Sequence, residues 1–219
     1  MATEAEAHWF RERLLAWGEE NRRDFPWRRT ANPYRLLVAE CLLQKTTASQ
    51  VAPVYEELLE RYPTVEDLAI ADPDDLLELL RPLGLLKRAA SLRSAARTVV
   101  EKYGGEVPDS EAELLNLPGV GLYAARSVLA HAFGKPVAVL DANVARILGR
   151  FFGLEGGRIK SREKALWQLA DDIAPETNAG RWNLTLLDFG ALTCTARKPK
   201  CPDCPLRERC RYANEEPPS

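Results

Sequence analysis

Apolar residues recur at helical spacing along almost the whole chain, and this pattern restricts the possible folds more than any other feature. In residues 8–20, the first such segment, Phe10 and Leu14 fall on the same helix face. The same spacing indicates helices at 34–47, 50–62, 74–80, 87–103, 111–117, 122–133, 142–152, 162–173 and 182–192. Glycine or proline separates most of these segments, and the best strand candidate, 136–140, is too short to anchor a sheet. The sequence therefore predicts an all-α fold.

Length and composition exclude several classes of protein. The chain has 219 residues and contains no run of about 18 apolar residues, the length that a membrane-spanning helix needs. Its first nine residues carry Glu4 and Glu6 and have no apolar core, which is unlike a signal or transit peptide. We therefore expect a cytoplasmic protein without a membrane partner.

Charge is distributed unevenly, although the net charge is only −2. That total argues against a nucleic-acid partner, which usually requires a basic surface. Residues 56–78, however, hold nine acidic side chains and one arginine, whereas 22–35, 81–102 and 197–211 are each strongly basic. Any one of these segments could be an ordinary solvated helix face. Together they favour a molecule with separate acidic and basic surfaces.

Four of the five cysteines lie close to the C-terminus, with the spacing C-x6-C-x2-C-x5-C at Cys194, Cys201, Cys204 and Cys210. In a reducing compartment, such a group more often holds metal than disulfides. A zinc ribbon normally has two C-x2-C pairs, and this segment has one, so the spacing favours a [4Fe-4S] cluster. Zinc and disulfides remain alternatives. Cys41 lies in an apolar run and is predicted to be a core thiol.

Two segments are suited to binding phosphate. The sequence LPGVG at 117–121 lies between two predicted helices, where Gly119 and Gly121 permit a tight hairpin. Such a hairpin would leave backbone N–H groups exposed at the start of the second helix. Lys198 and Lys200 would project from the loop between the first two cysteines of the cluster.

Three motifs in order, LPGVG at 117–121, VLDANVARILGR at 139–150 and the four-cysteine spacing, resemble the helix–hairpin–helix base-excision DNA glycosylases. The resemblance extends from FPWR at 25–28 to Cys210. It implies a six-helix barrel domain that contains the hairpin, at 25–135. It also implies an iron–sulfur domain formed by 1–24 and 136–219. The expected partner is double-stranded DNA that contains a mismatched or damaged base, with one nucleotide flipped out between the domains. The protein itself is expected to be a monomer associated with the nucleoid.

By this resemblance, Asp141 matches the essential carboxylate of the family. Its role there is to stabilise the oxocarbenium-like sugar and to position or activate water. An N-cap role alone would also explain an aspartate at this point. The hairpin residues Gly119, Val120 and Gly121, together with Arg146, are predicted to contact DNA.

Tyr123 marks a departure from one branch of the family. Endonuclease III-like enzymes have a lysine at this position for Schiff-base chemistry, and here the next lysine is Lys135. We therefore expect a monofunctional enzyme that leaves an abasic site, without efficient strand cleavage. Tyr123 itself is expected at the wall of the base pocket, and a purely structural hairpin aromatic is the alternative.

Glu40 lies within the mostly apolar segment 34–47. A salt bridge to Arg35 or to a neighbouring helix would be a structural reason for it. The functional alternative is a desolvated acid that hydrogen-bonds or protonates the flipped base. Adenine glycosylases that act opposite 8-oxoguanine have a matching glutamate, but they usually have serine where Tyr123 stands.

The pattern is most similar to archaeal-type mismatch glycosylases, so the predicted substrate is thymine or uracil opposite guanine. Gln44 matches the glutamine that fills the space left by the flipped nucleotide, and Leu85 matches the opposing wedge. Each could instead be an ordinary surface glutamine or core leucine. Two other functions remain open: adenine removal opposite guanine or 8-oxoguanine, and a non-catalytic iron–sulfur protein that binds DNA.

Overall fold

The computed structural model describes residues 3–84, 86–154 and 164–215, and this part of the chain is helical without a β-strand. The α-helices are α1 (Glu4–Asn21), α2 (Pro33–Leu43), α3 (Ala48–Arg61), α4 (Val65–Ala69), α5 (Pro73–Leu80), α6 (Leu86–Tyr103), α7 (Glu111–Leu115), α8 (Leu122–Ala132), α9 (Ala142–Phe152), α10 (Lys164–Asp172), α11 (Ala179–Leu192) and α12 (Arg211–Glu215). Short 3-10 turns occupy Pro26–Arg29, Arg81–Leu83, Cys201–Asp203 and Arg207–Arg209. The predicted all-α fold is confirmed.

The ends of α2 follow from local chemistry. Asn32 caps its start by accepting a hydrogen bond from the backbone N–H of Arg35, and Pro33 occupies the first helical position. The helix was expected to reach residue 47 but ends at Leu43, because Gln44 is extended and Lys45 adopts a left-handed conformation with φ of 58°. The side chain of Gln44 is thereby turned out of the helical pattern.

The remaining differences from the expected helices are local, at helix ends and in the short helices α4 and α12, for which no helix was predicted. The short helix α4 was not predicted, since it is a single turn that begins at a Thr64 capping box, and so its apolar periodicity is too brief to detect. The helix expected at 162–173 is described only in part, because residues 155–163 lie outside the described part of the chain. The rest of the expected helix corresponds to α10.

The chain forms two compact units. The first, called the terminal unit, combines residues 1–23 with 134–219, and the second, called the central unit, consists of 24–133. In the terminal unit, the core forms where α1, α9 and α11 pack, with ring contacts among Phe10, Phe151 and Trp182 on these helices. In the central unit, α2 packs against α3, α6 and α8 and is buried along most of its length.

A buried ion pair holds the end of the first segment of the terminal unit. Asp188 on α11 is fully buried and accepts hydrogen bonds from the backbone N–H of Arg23 at 3.1 Å and from its Nε at 2.6 Å. Charged groups are buried at low cost only when they are paired and hydrogen-bonded in this way. Within the described residues, no helix combines the length and the apolar character needed to cross a membrane.

Candidate active site and iron–sulfur segment

Asp141 is the N-cap of α9 in the terminal unit. Its Oδ1 accepts hydrogen bonds from the backbone N–H groups of Asn143 and Val144, both at 2.8 Å. Its Oδ2 accepts a third, from the Asn143 side-chain amide, also at 2.8 Å. The carboxylate is half-buried, and three donors therefore fix its orientation while part of it stays accessible.

The side chain of Asn143 is itself held by Arg146. The Arg146 Nη2 donates to Asn143 Oδ1 at 2.9 Å and to the Gly190 carbonyl at 2.8 Å, and its Nε donates to the Cys194 carbonyl at 2.9 Å. A continuous set of hydrogen bonds thus runs from Asp141 to the backbone of Cys194. The visible partners of Arg146 are internal, and its predicted contact with DNA stays a prediction.

Gly190 on α11 permits the close approach of α9. A Cβ atom at Gly190 would lie 2.7 Å from the Cβ atom of Asn143, closer than two such atoms can pack. A larger residue at this position would therefore displace Asn143, which is one of the donors that orient Asp141.

The segment before Asp141 is anchored by a buried amide. Asn183 on α11 is fully buried, accepts a hydrogen bond from the backbone N–H of Val139 at 3.2 Å, and donates to the Val137 carbonyl at 3.0 Å. These two bonds satisfy a short extended stretch that has no sheet to join. They set the position of Leu140 and hence of the carboxylate that follows.

Glu40 lies in the central unit, on the buried face of α2. Only 9 % of the residue is exposed, and its Oε1 accepts a hydrogen bond from the Ser127 hydroxyl on α8 at 2.5 Å. Burial raises the pKa of Glu40 from an ordinary 4.5 to about 7, although the Ser127 hydrogen bond acts in the opposite direction. The observed partner of Glu40 is thus a hydroxyl on α8, and a group with this pKa can hold its proton near neutral pH.

The hairpin at 117–121 joins α7 to α8. The backbone N–H of Val120 donates to the Leu117 carbonyl at 3.1 Å, and Gly119 has a φ of 81°, which favours glycine. Gly121 is the N-cap of α8 and offers no side chain to the first-turn N–H groups, and a Cβ atom added there would meet open space. An anion could therefore approach this helix terminus closely.

Two other predicted residues of the central unit, Tyr123 and Gln44, lie near the same hairpin. Tyr123 is half-buried in the first turn of α8, and the Gln44 side-chain amide donates to the Gly119 carbonyl at 2.9 Å. The side chain of Val120 is buried, so any contact that this residue makes with DNA would come from its backbone. The predicted wedge, Leu85, lies outside the described residues.

The four C-terminal cysteines are free thiols that line one apolar cavity, with Ile147, Phe151, Phe189 and Leu206 also in its wall. Two 3-10 turns, at Cys201–Asp203 and Arg207–Arg209, bring the chain back to this cavity twice. Burial raises the pKa of the Cys204 thiol to about 11. Four thiolates in such surroundings would need a cationic centre to compensate them, so the donor set fits an iron–sulfur cluster. In the described part of the chain, no three Cys, His, Asp or Glu side chains converge closely enough to hold a single ion.

A basic loop connects the first two cysteines. Arg150 on α9 donates to the Thr195 carbonyl at 2.7 Å and lies 3.5 Å from the Cys194 Sγ, which ties the start of the loop to the terminal unit. Lys198 is in the left-handed region with φ of 51°, and both Lys198 and Lys200 are exposed. The loop thus presents two cations to solvent.

Several residues of this site were not predicted from the sequence. Ser127 contacts Glu40 across two helices, and His131 lies one turn further along α8. Asn143 contacts Asp141 within the first turn of α9, and Asn183 holds the segment before Asp141 through long-range hydrogen bonds to Val137 and Val139. The available signal was a set of polar residues within apolar helix faces, but it does not reveal their partners.

Comparison with known protein families identifies the family to which this chain belongs. Residues 38–172 match the family described as the HhH-GPD superfamily base excision DNA repair protein. The chain belongs to this superfamily. Residues 194–210 of this HhH-GPD protein match the iron–sulfur binding domain of endonuclease III and form a [4Fe-4S] binding segment.

Related HhH-GPD proteins cover nearly the whole chain. A thymine/uracil-DNA glycosylase of Methanothermobacter thermautotrophicus is 38 % identical, over 96 % of this chain and 96 % of the relative. A thymine-DNA glycosylase of Aeropyrum pernix is 43 % identical, over 94 % and 95 %. Among solved structures, a thermostable thymine-DNA glycosylase matches with a TM-score of 0.93 and 37 % identity, covering 99 % of this chain and all of that chain.

Proposed function

We propose that this protein is a monofunctional DNA glycosylase that removes thymine or uracil opposite guanine and leaves an abasic site. The observation that carries the proposal is a pair of carboxyl groups in opposite settings. Asp141 accepts three hydrogen bonds, whereas Glu40 is buried beside the Ser127 hydroxyl. The names of relatives that span nearly the whole chain support the choice of thymine and uracil.

Asp141 would act on the sugar. Breaking an N-glycosidic bond develops positive charge on the deoxyribose, and a fixed carboxylate stabilises that charge without reorganising at the moment of reaction. Its two oxygens are already oriented by Asn143 and Val144. The same carboxylate could orient the water that completes hydrolysis.

Glu40 would act on the base. The departing pyrimidine carries negative charge, and a neutral carboxyl can donate a proton or a hydrogen bond to it. Because the pKa of Glu40 is raised to about 7, the protonated form is available near neutral pH. Tyr123 would contact the flipped base by stacking or hydrogen bonding.

The absence of a lysine at position 123 supports hydrolysis without efficient strand cleavage. Cleavage through a Schiff base requires an amine at the sugar, and a phenol cannot form an imine. In this chain the next lysine after the hairpin is Lys135, which lies beyond the end of α8.

Backbone and side-chain groups of both units would bind duplex DNA. Gly119 and Gly121 would offer backbone N–H groups to a phosphate, as the uncapped start of α8 permits, whereas Val120, whose N–H is bonded to the Leu117 carbonyl, would keep the hairpin in shape against the DNA. Lys198 and Lys200 would add charge, and Gln44 with Leu85 would occupy the space left by the flipped nucleotide. We expect a monomer that works on the nucleoid in the cytoplasm.

Cys194, Cys201, Cys204 and Cys210 would hold the [4Fe-4S] cluster, which when bound cross-links the loop through its four thiolates. The residues around it have a further effect on the site. Arg146 joins the Cys194 backbone to Asn143, so an ordered loop would help to keep the donors of Asp141 in place.

Labelled duplexes containing T·G, U·G, A·G or A·8-oxoguanine test the proposal directly. Each is incubated with the protein and then treated with alkali, with the Asp141→Asn variant as the inactive control. Cleavage confined to T·G and U·G supports the proposal. Cleavage confined to the adenine strand indicates an adenine glycosylase, and cleavage of none indicates a non-catalytic DNA-binding protein. Efficient breakage without alkali would contradict the monofunctional assignment.

A further inference from the structure

Ser127 and His131 form a hydrogen-bonded chain that ends on Glu40. Ser127 is 3 % exposed, and its hydroxyl lies 2.5 Å from Glu40 Oε1. The His131 Nδ1 lies 2.7 Å from the Ser127 carbonyl oxygen and 3.2 Å from the Ser127 Oγ. All three side chains belong to the central unit, on α2 and α8.

The direction of these bonds follows from the acceptors. A carbonyl oxygen can only accept, so the His131 Nδ1 carries the hydrogen that points to the Ser127 carbonyl and its hydroxyl oxygen. The Ser127 hydroxyl then gives its own hydrogen to Glu40. Donation therefore proceeds from His131 through Ser127 to Glu40, and each bond polarises the next.

The acceptor of the Ser127 hydroxyl is unusual for a serine inside a helix. In a helix interior, serine commonly donates its hydroxyl back to the carbonyl four residues earlier. Ser127 instead donates across to another helix, at a position where an apolar residue would pack without needing a partner. The buried hydroxyl thus finds its acceptor in Glu40.

We propose that Ser127 and His131 are positioning residues that fix the orientation and the protonation of the Glu40 carboxyl, an inference that rests on the proposed function. With Oε1 held by Ser127, Oε2 is the oxygen that would meet the base. His131 acts as a donor that orients the Ser127 hydroxyl, and it makes no contact with substrate.

Other titratable groups reach the interior near α2 but act elsewhere. The packing of α3 buries the Tyr55 phenol, and α6 supplies Arg88, whose charge acts on the Cys41 thiol beside Glu40. The pKa of Glu40 responds to its burial and to the Ser127 hydrogen bond.

Matched variants of the full, cluster-containing protein test the proposal. Ser127→Ala and His131→Leu remove the two donors, whereas Ser127→Thr keeps a hydroxyl and His131→Asn keeps an N–H group. Ser94→Ala, at an exposed serine of α6, is the control. Single-turnover excision is measured between pH 5.5 and 9. The ionisation of Glu40 is followed separately by carbon-13 NMR of labelled glutamate, assigned with Glu40→Gln.

For Ser127→Ala we expect the rate constant on the acidic plateau to fall about tenfold, the loss of one hydrogen bond to a carboxyl group. The midpoint of Glu40 ionisation should move to higher pH in both measurements, because the lost donor stabilised the charged form. His131→Leu should cost about threefold, and Ser127→Thr and His131→Asn should stay within about twofold of the unchanged protein.

An unchanged ionisation midpoint in Ser127→Ala would overturn the proposal, even if its rate fell. Failure of His131→Asn to restore what His131→Leu loses would overturn the donor role of His131. The NMR titration separates this inference from the proposed function. If no duplex is cleaved but the midpoint still moves, the glycosylase assignment is wrong and the control of Glu40 by Ser127 is supported.

Discussion

Asp141 and Glu40 are both carboxylic acids, and the two regions that hold them differ in almost every physical respect. Asp141 stands at a helix N-terminus, half-buried, with two backbone donors and one amide donor. Glu40 stands in the interior of α2, where burial raises its pKa to about 7. The first setting gives the carboxyl group three hydrogen-bond donors, and the second favours a neutral acid.

This difference assigns separate tasks to the two groups. Cleavage of an N-glycosidic bond requires negative charge near the sugar and a proton or hydrogen-bond donor near the base. Two carboxyl groups in one uniform environment could not supply both at the same pH. Variants that alter one region should therefore leave the other intact, and four changes test that expectation from the largest effect to the smallest.

Asp141→Asn should have the largest effect. Asparagine caps helices about as well as aspartate, so α9 should keep its N-cap while the negative charge is lost. We expect the rate of base excision to fall about a thousandfold and duplex binding to be retained. Single-turnover kinetics and fluorescence anisotropy measure the two quantities.

Asp72→Asn is the matched control for this change. Asp72 caps α5 with hydrogen bonds from the N–H groups of Asp74 and Asp75, but it has no role in the proposed site. It should leave the rate unchanged. An equal loss of rate in the two variants would mean that Asp141 is a cap alone.

Glu40→Gln should lower the excision rate about a hundredfold and yet stabilise the protein at high pH. The folded state holds a proton on Glu40 up to about pH 7, whereas the ordinary pKa is 4.5. Folding therefore takes up a proton between these values, and stability falls as the pH rises through them. At pH 8 the variant should be more stable by about 1–3 kcal/mol, and at pH 4.5 the difference should disappear.

Thermal unfolding at the two pH values measures this effect, with exposed Glu60→Gln on α3 as the control. Glu60→Gln should change neither the rate nor the pH dependence of stability. If Glu40→Gln is destabilised equally at both pH values, Glu40 is not a buried neutral acid in the folded protein.

Gly190→Ala probes how Asp141 is oriented, without touching it. The added methyl group would lie 2.7 Å from the Cβ atom of Asn143 and should push this residue away from Asp141. We expect about a tenfold loss of rate, the cost of one hydrogen bond to a charged group, and about 1–3 kcal/mol of lost stability. The ionisation of Glu40 should not change, and a shift in it would contradict the independence of the two regions.

Gly121→Ala should have the smallest effect on catalysis. The added methyl group meets open space and φ is −99°, so stability should be unchanged. If a phosphate binds at this helix start, duplex affinity should fall several-fold. Gly104→Ala, at a site remote from the hairpin, should lower stability but leave duplex affinity unchanged, because φ of 63° strains alanine. Equal affinities for the two variants would exclude a phosphate at Gly121.

Much of the fold could be predicted from local patterns. Apolar periodicity and helix breakers located α9 at its observed bounds, because Asp141 and Gly153 mark its two ends. The end of α2 was wrong by four residues, since the left-handed Lys45 is not signalled by residue type. Single-turn α4 escaped detection because it is shorter than the period test requires.

The functional site, too, could be predicted only in part from the sequence. Asp141, Glu40 and the four cysteines could be named because their residue types and motif context are distinctive. Ser127, His131 and Asn183 could not, because their importance depends on which helices pack together. A sequence shows that a polar residue lies on an apolar face, but only the packed structure shows its partner.

The pH dependence of single-turnover excision tests the central claim, that the two carboxyl groups act in opposite protonation states. The rate constant should be flat on the acidic side and fall about tenfold per pH unit above about pH 7, where Glu40 loses its proton. In Glu40→Gln the rate should be low and should not show this fall. A rate constant that stays constant or rises through pH 7, or an alkaline fall that persists in Glu40→Gln, would contradict the account.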